Sequence, residues 1–307
     1  MINIENNKLN MNGIYSATEL LNRNISEIPC LVEPLFPKVG LCGLAGSSDT
    51  GKSSLLRQLA TSVSLGDNKF LGFKLLATNK RAIYVSTEDD DLAISFLLQK
   101  EKINRSDDNN DYKGLTFIFD THDLLNKLEK LLIKNKVDLI IIDAFTDLYG
   151  KSMNDTNQVR TFLNDYSQLA QKYECLIVFL HHTGKHTDNL APSKHNLLGS
   201  QGFEAKMRMV VELRKDKVDH QKRHLCIVKG NYLSDKYKDK SFVLKFDENL
   251  QFTNSGERVS FDELKANNNN EERKKVIELK KSGKTQTEIA KKLNISQPTV
   301  SRILGNK

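Results

Sequence analysis

The chain has 307 residues, with 46 Lys and Arg against 39 Asp and Glu, and four scattered cysteines (Cys30, Cys42, Cys175, Cys226) that lack C-x-x-C spacing. That length predicts one large domain plus a small one. No apolar run reaches the roughly 20 residues of a membrane span, the start MINIENNKLN lacks a secretory apolar stretch, and thiols set in apolar runs read as buried and reduced, so a cytoplasmic globule is expected rather than a membrane-embedded or disulfide-framed secreted protein. The charge is unevenly placed. Residues 271–307 hold ten Lys and Arg against four Asp and Glu, a net +6 of the chain's +7. Basicity gathered in a tail predicts a nucleic-acid-binding module there.

In chain order, residues 1–38 are Asn-rich with a helical patch around Ala17-Thr18-Glu19-Leu20-Leu21, and Pro29, Pro34 and Pro37 then favour an extended lead-in, either a frayed segment or an arm for a neighbouring subunit. Residues 39–45 read as a buried strand. It runs into Gly46-Ser47-Ser48-Asp49-Thr50-Gly51-Lys52-Ser53, which matches G-x-x-x-x-G-K-[ST]. Two glycines let the backbone wrap a triphosphate with N–H groups inward, the lysine reaches the β/γ-phosphates, and the Ser53 hydroxyl ligates Mg²⁺. The helix predicted from Ser53 to Leu65, with Leu55, Leu56, Leu59, Ala60 and Val63 on one stripe, adds its N-terminal dipole. Asp49 is unusual in such a loop, because its charge weakens nucleotide binding unless it points outward.

Next comes Ala82-Ile83-Tyr84-Val85-Ser86-Thr87-Glu88, an apolar strand ending in acids, then a helix from Leu92 to Lys102, a strand at 115–119 and a helix at 123–134. A strand at 137–142 ends in Asp143, a helix covers 155–173, and a strand at 176–180 ends in His181-His182. This alternation predicts βαβ units, a mostly parallel sheet and helices on both faces. Strands at 207–213, 224–229, 242–246 and 250–253 look antiparallel and complete a core over 39–258, followed by a linker at 259–270. The strand ends of a parallel sheet converge on a ligand crevice. Asp143 is placed to support Mg²⁺. Glu88 is placed to orient or deprotonate a water, with Asp89, Asp90 and Asp91 left to cap the next helix, unless all four acids are helix-start residues. Of His181 and His182, one is a candidate sensor of the terminal phosphate, a role Thr183 would share; zinc is the weaker alternative, since adjacent strand residues point to opposite faces.

Taken together, these motifs with Gly199-Ser200-Gln201 and Lys206-Met207-Arg208 resemble the RecA-like ATPases, and more narrowly the RepA-type hexameric plasmid replicative helicases, over residues 28–258. The resemblance implies a RecA-like α/β core that binds ATP and Mg²⁺ through Gly46 to Ser54, with Lys52 on the phosphates, Ser53 and Asp143 on the metal, Glu88 activating water and His182 as sensor. It also implies that Arg208 reaches the neighbouring subunit's ATP and that Lys229 lies near that phosphate; without it, both read as surface charges on edge strands. The loop at 184–197, with Lys185 and Lys194, would face a ring channel and touch single-stranded DNA, or else is an ordinary surface loop.

The tail reads as three short helices with Val276, Ile277, Leu279, Ile289, Ala290, Leu293, Ile295, Val300 and Ile303 inward, and Ser296 capping the third. It resembles the DNA-binding tail of resolvases and invertases, which implies that Gln297, Thr299, Ser301 and Arg302 face a major groove while Lys284, Lys291 and Lys292 meet phosphates. A basic helical element for protein contact is the alternative. The expected whole is an ATP-hydrolysing homo-oligomer, a hexamer, that acts on DNA as a replicative helicase of a plasmid or mobile element. The alternatives are a non-unwinding ATP-dependent DNA-binding regulator or recombination accessory, and a nucleotide-binding scaffold without turnover.

Overall fold

The computed structural model describes residues 13–103, 105–185, 187–265 and 268–305. In chain order the elements are α1 (Ala17–Leu21), β1 (Cys30–Glu33), β2 (Phe36–Pro37), β3 (Gly40–Gly46), α2 (Lys52–Leu65), β4 (Lys69–Phe70), β5 (Phe73–Leu75), β6 (Ala82–Ser86) and α3 (Asp91–Lys102). There follow β7 (Leu115–Ile118), α4 (Leu124–Lys134), β8 (Leu139–Asp143), α5 (Phe145–Tyr149), α6 (Thr156–Tyr173), β9 (Leu176–His182), α7 (Ser200–Lys206) and β10 (Met209–Lys215). The antiparallel strands β11 (Lys222–Gly230), β12 (Lys240–Phe246) and β13 (Phe252–Ser260) lead to α8 (Asn268–Lys281), α9 (Gln286–Leu293) and α10 (Gln297–Gly305).

Among the described residues the main sheet has nine strands in the order β13-β12-β11-β10-β3-β9-β8-β6-β7. Strands buried on both faces read as unbroken apolar runs, and period-two alternation divides their side chains. Leu139 and Ile141 of β8 join the core under α2, while Ile140 and Ile142 join the core under α4 and α6. Two of the core helix starts are set locally: Asp90 caps α3 and Asp155 caps α6 through side-chain bonds from the Ala93 and Gln158 N–H groups.

Two expectations need correction. The strand read at 207–213 is antiparallel only on its β11 side; its other edge pairs parallel to β3, with Met209 opposite Cys42. The reason is the crossover through α7, which returns the chain to the end of the sheet where β3 begins. Residues 30–37, expected as an extended lead-in, instead form β1 and β2 of a second sheet, order β2-β1-β5-β4, that packs Leu31, Val32 and Phe36 into the α2 core.

The tail helices enclose Val276, Ile289, Ala290, Val300 and Ile303, with Leu279, Leu293 and Ile295 packed against them. Ile277, expected inside, is exposed. Thr285 and Glu288 form a reciprocal capping box on α9, and Ser296 accepts from Thr299 N–H at 3.3 Å as the expected cap of α10. Gln297, Ser301, Lys291 and Lys292 are exposed, Thr299 and Lys284 half-buried, and the Arg302 side chain lies outside the described residues.

Candidate functional site: a phosphate loop among strand ends

The loop joining β3 to α2 can turn where it does because Asp49 and Gly51 hold positive φ angles of 57° and 91°. A Cβ on Gly51 would lie 2.8 Å from the Phe252 ring, and one on Gly46 only 2.4 Å from the Leu213 carbonyl, so both positions exclude side chains. Asp49 is exposed and Thr50 fully buried, which leaves the charge of the unusual acid in solvent. Lys52 donates to the Ser47 carbonyl at 2.7 Å, and the Thr50 hydroxyl to the same oxygen at 3.0 Å. Burial pushes the Lys52 amine below its ordinary pKa, while Asp143, Glu88, Asp49 and Asp188 pull it back up.

Asp143 ends β8 directly beside Ser86 of β6. Its Oδ2 accepts from the Tyr84 hydroxyl at 2.6 Å, and its Oδ1 is buried without a hydrogen-bond partner. Burial raises the carboxyl above its usual range, against the lowering influence of Tyr84, Ser53 and Lys52. An orphaned carboxylate oxygen next to a helix-start serine and a lysine fits a divalent cation, which Ser53 and Asp143 would hold. Tyr84, which fixes the rotamer of this acid, belongs to no sequence motif.

Glu88 lies two residues beyond β6. Burial, then Asp143 and Asp147, raise its pKa, which brings a carboxylate closer to the range of a working general base. His182 is paired in register with Gly46, and its Nε2 sits 3.9 Å from Glu88 Oε1. Burial and Lys52 lower its pKa, so the contact is with a neutral imidazole at neutral pH. Thr87 ties the two strand ends together: its N–H donates to the Asp143 carbonyl at 2.7 Å, and its hydroxyl accepts from Ala144 N–H at 2.9 Å. The structure therefore brings Gly46 to Ser54, Glu88, Asp143 and His182 into one cluster.

His181 separates from it. Its ring packs against Phe203 and Phe145, with Nε2 2.8 Å from the Leu198 carbonyl and Nδ1 unpartnered. Burial pushes its pKa down to about 4. An unfolded histidine, near 6.5, takes up a proton that the folded one refuses until about pH 4, so folding stability is expected to fall as pH drops through that window, by up to about 3 kcal/mol. His181→Phe should flatten this part of a pH series of urea melts; an unchanged slope would mean that another group carries it. Thr183, beside these histidines, bonds through its N–H to Gly46 and keeps a buried hydroxyl without a partner.

Arg208 and Lys229 lie elsewhere. Gly40, at the opposite end of β3 from the loop, has the Arg208 side chain against it: a Cβ there would meet Nε at 2.8 Å. Seven strand residues at about 3.3 Å each separate that end from the phosphates by roughly 20 Å. Lys229 is opposite Val210 near the same end. It donates to the Glu204 carbonyl at 2.7 Å and pairs with Glu204 Oε1 at 3.1 Å. Lys194 shares that carboxylate at 3.1 Å. Burial works to raise the Glu204 pKa, but the two lysines together outweigh it and hold the acid below its usual value. Neither lysine is therefore an uncommitted cation. Lys185 is an exposed residue of the loop after β9.

Residues 187–196 of that loop are tied down by two residues outside any motif. Glu212 and Arg214 of β10 form a buried pair. Glu212 accepts from Ser193 N–H at 3.1 Å, and Arg214 donates to the carbonyls of Leu190 at 2.5 Å and Thr187 at 3.2 Å. Among the described residues no cluster of His, Cys, Asp and Glu suited to a metal converges, and no helix is long and apolar enough to cross a membrane.

A mixed sheet with a glycine-rich phosphate loop, and with the acids Asp143 and Glu88 beside it at the ends of parallel strands, defines a P-loop ATPase of RecA-like fold. Residues 15–188 match the AAA domain family model, more than half of the chain, and the chain belongs to that family. Residues 272–306 match a helix-turn-helix domain. No curated protein matches the chain. Among solved structures it is similar to one titled "ATPase Domain of G40P", with a TM-score of 0.56 and 16% identity over 77% of this chain and 95% of that one. At that identity the likeness is one of fold.

Proposed function

We propose that this ATPase is a DNA motor, a hexameric RecA-like helicase of the RepA type that serves replication of a plasmid or mobile element and is delivered to duplex DNA by its helix-turn-helix tail. The observation that carries the reading is the position of Arg208: a basic residue about 20 Å from its own phosphate loop serves hydrolysis only at a neighbour's site. Repetition of that head-to-tail contact generates a ring. Lys52 and the loop N–H groups would bind the β/γ-phosphates, and Ser53 and Asp143 would hold Mg²⁺, which neutralises phosphate charge. Glu88 would take the proton of a water as its oxygen attacks the γ-phosphorus and the bond to the β-phosphate oxygen breaks. His182, beside both Glu88 and Lys52, would sense whether the γ-phosphate is present, and the neighbour's Arg208 would stabilise charge on the transferring group. Lys185 would contribute to a single-strand channel.

The test is displacement of a labelled strand from forked DNA by the full chain and by a chain lacking residues 271–307. The full chain should unwind with ATP. The truncated chain should retain basal ATPase, bind duplex more weakly, and show a salt slope reduced by about 0.9 for each phosphate that the tail no longer neutralises. ATP-dependent duplex binding without displacement would replace the helicase reading with that of a DNA-binding regulator, and unchanged duplex binding would reassign the tail to protein contact.

A further inference from the structure

Arg223, on β11, is buried to 6% exposure directly behind the phosphate loop. Its Nε donates to the Thr50 carbonyl at 2.9 Å, and Nη1 donates to the carbonyls of His220 and Lys222 at 2.7 and 2.9 Å. The guanidinium lies 5.0 Å from the centre of the Phe246 ring, itself stacked on Phe252, which packs against Gly51. Among the described residues no carboxylate pairs with it. Neutral carbonyls and a ring surround the charge, and burial, with nothing opposing it, lowers its pKa. A buried cation without a counter-charge is costly and is retained where something supplies that charge.

The geometry identifies the anion. A trans peptide points its carbonyl and its N–H to opposite sides. With the Thr50 carbonyl drawn back to Arg223, the N–H of Gly51, on the same peptide unit, faces forward into the cradle. The charged donor also polarises that peptide, which strengthens the forward N–H. We infer that Arg223 is a positioning residue of the ATP site, a cation set behind the loop that orients and polarises the Thr50–Gly51 peptide and whose counter-charge is the bound polyphosphate. It touches the loop only through Thr50, so its effect belongs to nucleotide affinity rather than to the chemical step. This role rests on the nucleotide site described above.

The experiment titrates MgATP and MgADP into the full chain and its Arg223→Gln and Arg223→Lys forms, with steady-state ATPase and thermal melting measured alongside. Loss of one charge-assisted hydrogen bond with its long-range attraction should weaken both nucleotides by roughly 10- to 100-fold in Arg223→Gln and raise KM, with a smaller change in kcat. Arg223→Lys, which keeps the charge, should recover most of the affinity. If affinity and KM stay within about twofold while melting falls, Arg223 is only structural and the inference is overturned. A lower kcat at unchanged KM overturns it too, as does a lysine form no better than the glutamine form. Should Arg223→Gln fail to fold, Arg223→Met, which keeps the unbranched stem without the charge, takes its place, and affinity equal to that of Arg223→Lys would overturn the role of the charge. Absence of nucleotide binding by the unaltered chain would instead defeat the ATP-site reading itself.

Discussion

Lys52→Ala is expected to abolish nucleotide turnover, by roughly 10³-fold or more, since a preorganised donor at this kind of site is worth about 10²–10³ and this one also carries the charge. The amine is buried at 6% exposure and is parked on the Ser47 carbonyl, from which it can swing to a phosphate. Asp143 and Glu88 act on it most strongly of the acids, so alanine would leave these two carboxylates without their main cation. Phosphates would then meet net repulsion at close range. Binding of a fluorescent ATP analogue and phosphate release measure the two consequences, and Lys52→Met, which retains much of the buried stem, guards against a purely packing effect. ATPase activity kept within a few-fold in both variants would dismiss the site as drawn.

The part of this site legible from sequence is the part built by local chain. The phosphate loop, the strand ending in Asp143 and the capped tail helices each occupy one continuous stretch, where spacing and turn residues state their conformation. His181 and His182 are separable in principle by strand alternation, but which one faces Phe203 and which one Gly46 depends on the register of β9 against β3. The features hidden from sequence depend on pairing over distance. The second sheet joins Val32 to Leu75, and a lone short strand with three prolines near it reads as coil until its partner is known. Glu212, Arg214 and Arg223 sit as isolated charges in strands, a pattern that ordinarily marks a solvated face. Their burial follows from the 184–197 loop and the phosphate loop folding back over them. Lys194 and Lys229 illustrate the converse: as sequence they are free cations, and only the fold brings Glu204 between them.

The second large effect concerns Arg208. Because it lies against Gly40, a strand's length from its own loop, an Arg208→Ala protein should still bind ATP through its own Lys52 and Ser53. Hydrolysis should nevertheless fall by about 10³–10⁵, the value of an arginine supplied to a phosphoryl-transfer site from outside. If the site is shared as proposed, specific activity of the unaltered chain should also rise with protein concentration across the range where subunits assemble.

The most direct measurement mixes Arg208→Ala with Glu88→Gln, each inactive alone, and follows phosphate release after the subunits have been allowed to exchange. At equal proportions about a quarter of head-to-tail contacts join an intact Glu88 to an intact Arg208. If each site is shared between two subunits, ATPase activity returns in the mixture; no recovery between subunits shown to exchange, or normal hydrolysis by Arg208→Ala alone, would contradict a shared site.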